Sequence, residues 1–302
     1  MATLLDLPTE ILVQITQYAS FNGDLPYLRR VNSRFNDILK EQSHRFLEDL
    51  RQRYDLSARV IDLYFTHRLG TPSLESCQPR LMDVIALDHF LRGVEIVAED
   101  ADRALQSRLI AKATRPYPIS RESFLLFAVL SHLLGLSKTV LSMTGTILAP
   151  CHSGETFAPK VPSDQFVHFL QSELALSDLE SIIAVINICA TRLWSTIFLF
   201  RPIDMMVTSF GSLSGYSFNM HQAILAEHTI WKGPNWVSKV LERYSKSPGL
   251  SFPQIYTEPE DPVITGGIWN GSHENGALLA ANGVARMLWK ERQDKIEQVK
   301  KG

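Results

Sequence analysis

The 302-residue chain contains only three cysteines, Cys77, Cys151 and Cys189, at widely separated positions. An odd number of isolated cysteines does not build the disulfide framework of a secreted protein and is typical of a reducing compartment. The N-terminus carries Asp6 and Glu10 where a signal peptide has a basic start and an apolar core. We therefore expect three free thiols and a cytoplasmic or nuclear location.

Charge of one sign and long apolar runs are also scarce. The formal net charge is −2, so no broad basic field indicates a nucleic-acid partner. The two most apolar stretches are interrupted, residues 124–136 by His132 and residues 182–200 by Asn187 and Arg192. Polar and charged residues are costly inside a membrane span. Both stretches are therefore predicted to be buried helices of a globular core, and no membrane partner is expected.

Signatures of catalysis are absent as well. Cys151 and His152 are adjacent, and adjacent residues rarely place a nucleophile and its base productively. The serine cluster at residues 211–215 does not match a nucleophile elbow, because the residue two before Ser214 is Ser212 and not glycine. The sequence has no phosphate loop, dinucleotide fingerprint or short-period repeat. We expect no catalytic residue, metal or cofactor.

The sequence does contain helical periodicity. Apolar residues recur at spacings of three and four in the body of the chain, over residues 80–111, 164–174, 176–200 and 277–299. In the first of these stretches Asp83 and Asp88 fall mostly opposite the apolar stripe, which predicts a solvated acidic face. In the third, Ser177 and Glu180 have the spacing of a capping box. The pattern predicts a mostly α fold.

The start of the chain contains two amphipathic segments. Pro8 and Glu10 suit the first turn of a helix. The apolar residues that follow share one stripe: Ile11, Leu12, Ile15, Tyr18 and Ala19. After a break in which Asp24 can cap a second helix, the spacing continues with Leu28, Val31, Phe35, Ile38 and Leu39. A unit this small rarely buries enough surface to be stable alone, so its apolar face must meet the rest of the chain or another protein.

Residues 4–39 also resemble an F-box. The residues Leu7-Pro8-x-Glu10-Ile11-Leu12 match the opening of that motif, and Leu28-x-x-Val31-Asn32-x-Arg34-Phe35 matches its close, in order and in spacing. Asn32 stands where many F-boxes have cysteine, and Pro26 lies inside the expected second helix. The run from Asn32 to Asp37 is similar to F-boxes of filamentous fungi.

In that family the F-box binds the Skp adaptor of a cullin ubiquitin ligase, and the remainder of the chain recruits a protein substrate. The resemblance thus implies a protein that is not an enzyme, with a three-helix F-box at residues 1–45, a helical linker at 46–79 and an irregular helical recognition domain at 80–302. The residues that it implies for adaptor binding are Leu7, Pro8, Glu10, Ile11, Leu12, Ile15, Leu25, Leu28, Val31, Asn32 and Phe35.

Residues 201–276 are predicted to carry the substrate surface. Periodicity fades there, and glycine, proline and aromatic residues alternate. Long irregular segments in compact domains tend to be functional, and aromatic side chains often anchor binding surfaces. The candidate anchors are Tyr216, Phe218, Trp231, Trp236, Tyr256 and Trp269. In the alternative interpretation, these aromatics hold the loops to the core.

Two other classes of function stay open at this point. One is a helical scaffold or regulatory protein whose F-box-like helices pack on its own body. The other is an intracellular enzyme with a site in residues 201–276. An exposed apolar face on the N-terminal helices favours the adaptor over the scaffold. A deep pocket with convergent polar groups favours the enzyme.

Overall fold

A computed structural model of the chain describes residues 7–22, 27, 30–31, 33–74, 78–95, 97–99, 120–135, 163–197, 229–230, 232–246 and 284–301. Within these residues the regular elements are helices and there is no strand, which confirms the prediction of a mostly α fold. The chain divides into two compact units, Met1–Gly93 and Val94–Gly302. The functional division predicted at residues 45 and 79 stays a prediction.

The first unit begins with two helices, α1 (Thr9–Asn22) and α2 (Ser33–Glu41), which pack against each other. The Pro8 carbonyl accepts hydrogen bonds from the backbone N–H groups of Ile11 and Leu12, both at 3.1 Å. Proline suits this position because its own missing N–H needs no partner at a helix start. The predicted start of α1 is therefore confirmed. The predicted cap Asp24 lies outside the described residues.

The next helical segment, which overlaps the predicted helical linker at residues 46–79, is divided into two helices. Helix α3 (Ser43–Tyr54) ends because Asp55 adopts a left-handed conformation, with φ of 51°. Helix α4 (Ala58–Leu63) then starts at Ser57, whose hydroxyl oxygen accepts the Val60 N–H at 3.3 Å. It continues as a π-helical stretch, Tyr64–Leu69. A left-handed aspartate followed by a serine cap separates two helices that share one apolar pattern.

The last helix of the first unit is α5 (Leu81–Gly93), which packs against α3. A single helix was predicted over residues 80–111. Instead α5 ends at Gly93, Val94 forms a turn, and residues 95 and 97–99 are again helical. Glycine lowers helix stability and favours such an end. The rest of the predicted helix lies outside the described residues.

The prediction that Asp83 and Asp88 lie on a solvated face of α5 is wrong, because both are buried. Asp83 Oδ2 accepts hydrogen bonds from Thr71 Oγ1 and Arg80 Nε, each at 2.9 Å. Asp88 accepts Arg92 Nε at 3.0 Å. Burial of a carboxylate is tolerated when a positive charge and donors satisfy it. Arginines three and four residues away supply both here.

The second unit contains α6 (Arg121–Gly135), α7 (Asp164–His168) with a π-helical continuation Phe169–Glu173, α8 (Leu176–Ile197), α9 (Pro234–Lys246) and α10 (Val284–Lys301). Helix α8 packs against α6, α9 and α10. The apolar residues of α6 and α8 are largely buried, which confirms the prediction of core helices. Among the described helices, none is both long and apolar enough to cross a membrane.

The predicted capping box at the start of α8 is wrong. Helix α8 begins at Leu176, so its cap position is Ala175, two residues before Ser177, and the Ala175 carbonyl accepts the Leu179 N–H at 3.1 Å. Asp178, and not Glu180, reaches back to the helix start and accepts the Ala175 N–H through Oδ2 at 2.9 Å. Glu180 is instead buried and forms an ion pair with Arg292 of α10, with Oε1 to Nη2 at 2.8 Å. Glu180 thus pairs with Arg292, a distant residue that the local sequence does not indicate, and does not cap α8.

Candidate interaction surface

Helix α1 presents two large apolar side chains to solvent. Ile11 is 40% exposed and Tyr18 is 72% exposed. They are seven residues apart, so they lie almost in line on one face of the helix, two turns from each other. The buried residues Leu12, Thr16 and Ala19 lie on a different face. Helix α1 therefore has one apolar face for its own core and a second that is exposed.

The inner face of α1 meets α2 in a small hydrophobic cluster of Leu12, Phe35 and Ile38. Leu7, Val13 and Ile15 pack against the edge of this cluster. Leu12 and Phe35 are fully buried. These two predicted adaptor-binding residues therefore hold the helices together in this structure and do not form its outer surface.

A second pair of exposed apolar residues lies between α1 and α2 in the sequence. Tyr27 is 68% exposed and Val31 is 60% exposed. Among the described residues, the other large hydrophobic side chains that are exposed are Met82, at 53%, and Val299, at 70%. Single exposed apolar residues are ordinary, whereas a contiguous patch of them indicates an interaction site. Four of the exposed residues fall within residues 11–31 of the sequence. We call Ile11, Tyr18, Tyr27 and Val31 the N-terminal apolar surface.

The other predicted adaptor-binding residues divide into three groups. Pro8 and Glu10 are exposed near the start of α1. Leu7 and Ile15 are half-buried beside the inner cluster. Leu25, Leu28 and Asn32 lie outside the described residues. Of the predicted set, the structure thus places Pro8, Glu10, Ile11 and Val31 at the surface.

Sequence analysis missed the surface roles of Tyr18 and Tyr27. Tyr18 was assigned to the same apolar stripe as Leu12, although it lies six residues further along and nearly a third of a turn away from the buried face. The helical register could have shown this, because Ile11 and Tyr18 lie on the same side of the helix and Leu12 lies on another. A stripe wide enough to include both sets hides the distinction between core and surface.

The start of α1 and the start of α2 are also joined by a polar contact. Arg34 Nη2 donates a hydrogen bond to Thr9 Oγ1 at 3.1 Å. Both side chains are exposed. It joins the start of α1, near Pro8 and Ile11, to the start of α2. Arg34 belongs to the closing part of the F-box-like pattern, but its partner was not predicted.

The predicted substrate anchors are mostly outside the described residues, namely Tyr216, Phe218, Trp231, Tyr256 and Trp269. The sixth, Trp236, lies on α9 and is only 8% exposed. Trp236 is therefore a core residue in this structure, as the alternative interpretation of the aromatics has it. The irregular segment predicted over residues 201–276 contains a regular amphipathic helix at this point.

The described residues offer little reactive chemistry. Cys189 is a free cysteine buried in α8, and this burial raises the pKa of its thiol far above the ordinary value. A buried neutral thiol is a poor nucleophile and a poor metal ligand. No group of three or more histidine, cysteine, aspartate or glutamate side chains in the described part of the chain is placed to hold a metal ion. Cys77 and Cys151 lie outside that part.

A comparison of the chain with models of known protein families finds no match. No curated protein and no solved structure matches it either. A functional proposal therefore depends on the surface described above and on the resemblance of residues 4–39 to an F-box.

Proposed function

We propose that this chain is an F-box protein that binds the Skp adaptor of a cullin ubiquitin ligase through its N-terminal helices and recruits a protein substrate. The observation that supports the proposal is the N-terminal apolar surface. Ile11 and Val31 belong both to the F-box-like pattern and to this surface. A segment that exposes apolar side chains from both halves of the motif has the property that adaptor binding requires.

The contact set differs from the one that the sequence implied. Pro8, Ile11 and Val31 remain as direct contacts, and Tyr18 and Tyr27 join them because they are exposed beside them in the sequence. Tyrosine is enriched at the centres of protein interfaces, where its ring is buried and its hydroxyl finds a partner. Leu12 and Phe35 contribute indirectly, since they hold α1 against α2.

The scaffold alternative makes a different prediction about these side chains. If the N-terminal helices served only to pack on the chain's own body, their apolar residues would be buried. Ile11, Tyr18, Tyr27 and Val31 are exposed. Each contact of this kind typically contributes about 1–4 kcal/mol to binding when a partner buries it. The exposed face therefore favours the adaptor protein.

The proposal is tested by titrating the purified full chain into the purified Skp adaptor in a calorimeter. Replacing Ile11 and Val31 together by alanine should weaken binding at least about tenfold, because two interface anchors are truncated. Met82→Ala is the matched control, since Met82 is similarly exposed but lies on α5. It should bind as the native chain does. Equal binding by the double variant and the native chain would refute the proposal, as would no binding by the native chain.

The ligase part of the proposal is tested in cells. Affinity purification of the tagged chain should recover both the Skp adaptor and a cullin, and the Ile11→Ala/Val31→Ala variant should lose both together. Proteins that remain bound to this variant are then candidate substrates, because they do not depend on the adaptor surface. Recovery of the adaptor without a cullin would contradict the ligase role and leave only adaptor binding.

A further inference from the structure

Helices α2 and α3 are nearly continuous. A single residue, Gln42, lies between the last residue of α2 and the first residue of α3. The Gln42 N–H donates to the Ile38 carbonyl, and the Gln42 carbonyl accepts the Phe46 N–H, both at 3.0 Å. The backbone hydrogen bonds of α2 therefore continue through Gln42 into α3. Because Ile38 belongs to the cluster with α1 and Phe46 is fully buried, the α1–α2 pair is joined directly to the core around α3.

Buried polar side chains attach the segment that leads into α5 to both α3 and α5. Ser43, the first residue of α3, donates to the Pro79 carbonyl at 2.9 Å. Thr71 Oγ1 donates to Asp83 Oδ2 at 2.9 Å and accepts from Arg80 Nη2 at 3.1 Å. Ser43, Thr71 and Asp83 are all buried. A buried polar group that loses its partner is costly, so these bonds oppose separation of the segment from either helix. We call Ser43, Thr71, Pro79, Arg80 and Asp83 the loop clamp.

Helix α4 and its π-helical continuation are attached to the same part of the chain. The Leu74 N–H donates to Asp62 Oδ1 of α4 at 2.8 Å. The ring of Tyr64 lies against the ring of Phe90 in α5, with 5.4 Å between their centroids, and both residues are buried. Buried aromatic pairs stabilise the contact between the elements that carry them. Backbone continuity, buried hydrogen bonds and ring packing therefore link the elements from α2 to α5.

The α1–α2 pair has little core of its own. The buried residues of the cluster between the two helices are Leu12, Phe35 and Ile38. A cluster this small rarely stabilises a folded unit alone. All five helices α1–α5 fall within one compact unit, Met1–Gly93. Proteins open locally in cooperative units that follow such packing, so the α1–α2 pair gains its stability from the contacts of α3 and α5.

We propose that α1–α5 form one cooperative unit, in which the loop clamp and α5 stabilise the N-terminal apolar surface without belonging to it. By this inference the adaptor-binding unit ends near Gly93 and not at residue 45. The identity of the partner rests on the proposed function, whereas the coupling among α1–α5 does not. Coupling between two sites is reciprocal, so an adaptor bound at α1 must in turn stabilise α5.

Native-state hydrogen exchange of the full chain, with and without the purified Skp adaptor, tests this reciprocity. At a free adaptor concentration of about one hundred times its Kd, opening of the cooperative unit should become roughly one hundred times rarer. The slowest amides of α1, α2, α3 and α5 should therefore slow by a similar factor, and those of α8 in the second unit should not change. Slowing confined to α1 and α2 would overturn the inference and leave the proposed function intact.

A second measurement needs no adaptor. In Thr71→Val, which removes a clamp hydroxyl at nearly equal volume, the slowest amides of α1 and α2 should exchange at least about fivefold faster. Thr229→Val is the matched control, because Thr229 is also buried but lies in the second unit, and it should leave these amides unchanged. If Thr71→Val does not fold, Ser43→Ala gives the same test by removing the bond to Pro79. If the native chain does not bind the adaptor, the proposed function fails, and this measurement decides the inference. Unchanged exchange of α1 and α2 in the clamp variant would overturn it.

Discussion

Arg34 Nη2 lies 3.1 Å from Thr9 Oγ1, so the second residue of α2 bonds the first residue of α1 across 25 positions of the sequence. Leu12, Phe35 and Ile38 also join the two helices, in a small hydrophobic cluster. One small cluster and one polar contact therefore hold α1 against α2, and α1 carries the exposed Ile11. The proposed adaptor surface depends on residues that do not belong to it.

The first prediction separates the inner residues from the surface residues. Phe35→Ala should destabilise the α1–α2 pair by about 3–5 kcal/mol, because it leaves a cavity in a cluster too small to repack. Val31→Ala should change the same stability by less than about 0.5 kcal/mol, since Val31 is exposed. Both are measured as changes in hydrogen-exchange protection of α1 and α2. Equal effects of the two changes would contradict the assignment of Phe35 to the core.

The second prediction concerns the Arg34–Thr9 bond. Arg34→Ala should lower the stability of the α1–α2 pair by about 0.5–1 kcal/mol, the lower part of the range for an intramolecular hydrogen bond, because this bond is exposed. Thr9→Val removes the acceptor at nearly constant shape. A double-mutant cycle of these two changes isolates the bond from the other contacts of each side chain. Strictly additive effects would show that the bond contributes no stability.

The sequence predicted those features that local chemistry determines. Pro8 starts α1 as predicted, because its missing N–H has the same consequence in any fold. The apolar runs of α6 and α8 are buried as predicted, since a continuous apolar face excludes solvent. The assignment of Ile11 and Leu12 to different faces also follows from helical register. This assignment would have required a narrower apolar stripe on α1 than the one predicted.

Features that depend on distant partners were not predictable in this way. Asp83 is buried because Thr71 and Arg80 satisfy it, and only one of these partners lies on the same helical turn. Glu180 leaves the start of α8 for Arg292, 112 residues away. Trp236 is buried although the segment around it has weak periodicity. In each case a tertiary contact overrides the local pattern, and no local pattern records it.

The third prediction concerns the ion pair that attaches α10 to α8. Glu180→Ala should destabilise the second unit by about 3 kcal/mol, because Arg292 is then left mostly buried without its counter-charge. Glu180→Ala/Arg292→Met should recover a large part of this loss, since an apolar side chain of similar length replaces the unpaired charge. The stability of both variants is measured by unfolding the second unit in urea and monitoring the hydrogen exchange of α8 and α10. If the double variant is less stable than Glu180→Ala, the pair does not act as inferred.

An exposed ion pair in the second unit provides a comparison with the Glu180–Arg292 pair. Lys246 and Glu242 form an ion pair on the solvent side of α9 at 2.5 Å, and Lys246 lowers the pKa of the Glu242 carboxyl. Such pairs contribute little because water screens both charges. Glu242→Gln should therefore leave the stability of α9 within about 0.5 kcal/mol of the native value. A loss as large as that from Glu180→Ala would show that exposure does not distinguish the two pairs.

The last prediction concerns Cys189. Burial raises the pKa of its thiol far above the ordinary 9.0, so the folded chain keeps the thiol neutral to higher pH than the unfolded chain does. In the unfolded chain the thiol ionises near its ordinary pKa. The free energy of unfolding therefore keeps its full value below about pH 9. It falls as the pH rises above 9, by up to about 1.4 kcal/mol per pH unit. The urea midpoint should therefore fall more steeply between pH 8 and pH 10 in the native chain than in Cys189→Ala, in which this ionisation is absent.

Thiol counting is a second test of the burial of Cys189. At pH 8, Cys189 should react with a thiol reagent in denaturant and not in the folded chain. Equal slopes, together with rapid labelling of Cys189 in the folded chain, would contradict its burial in α8.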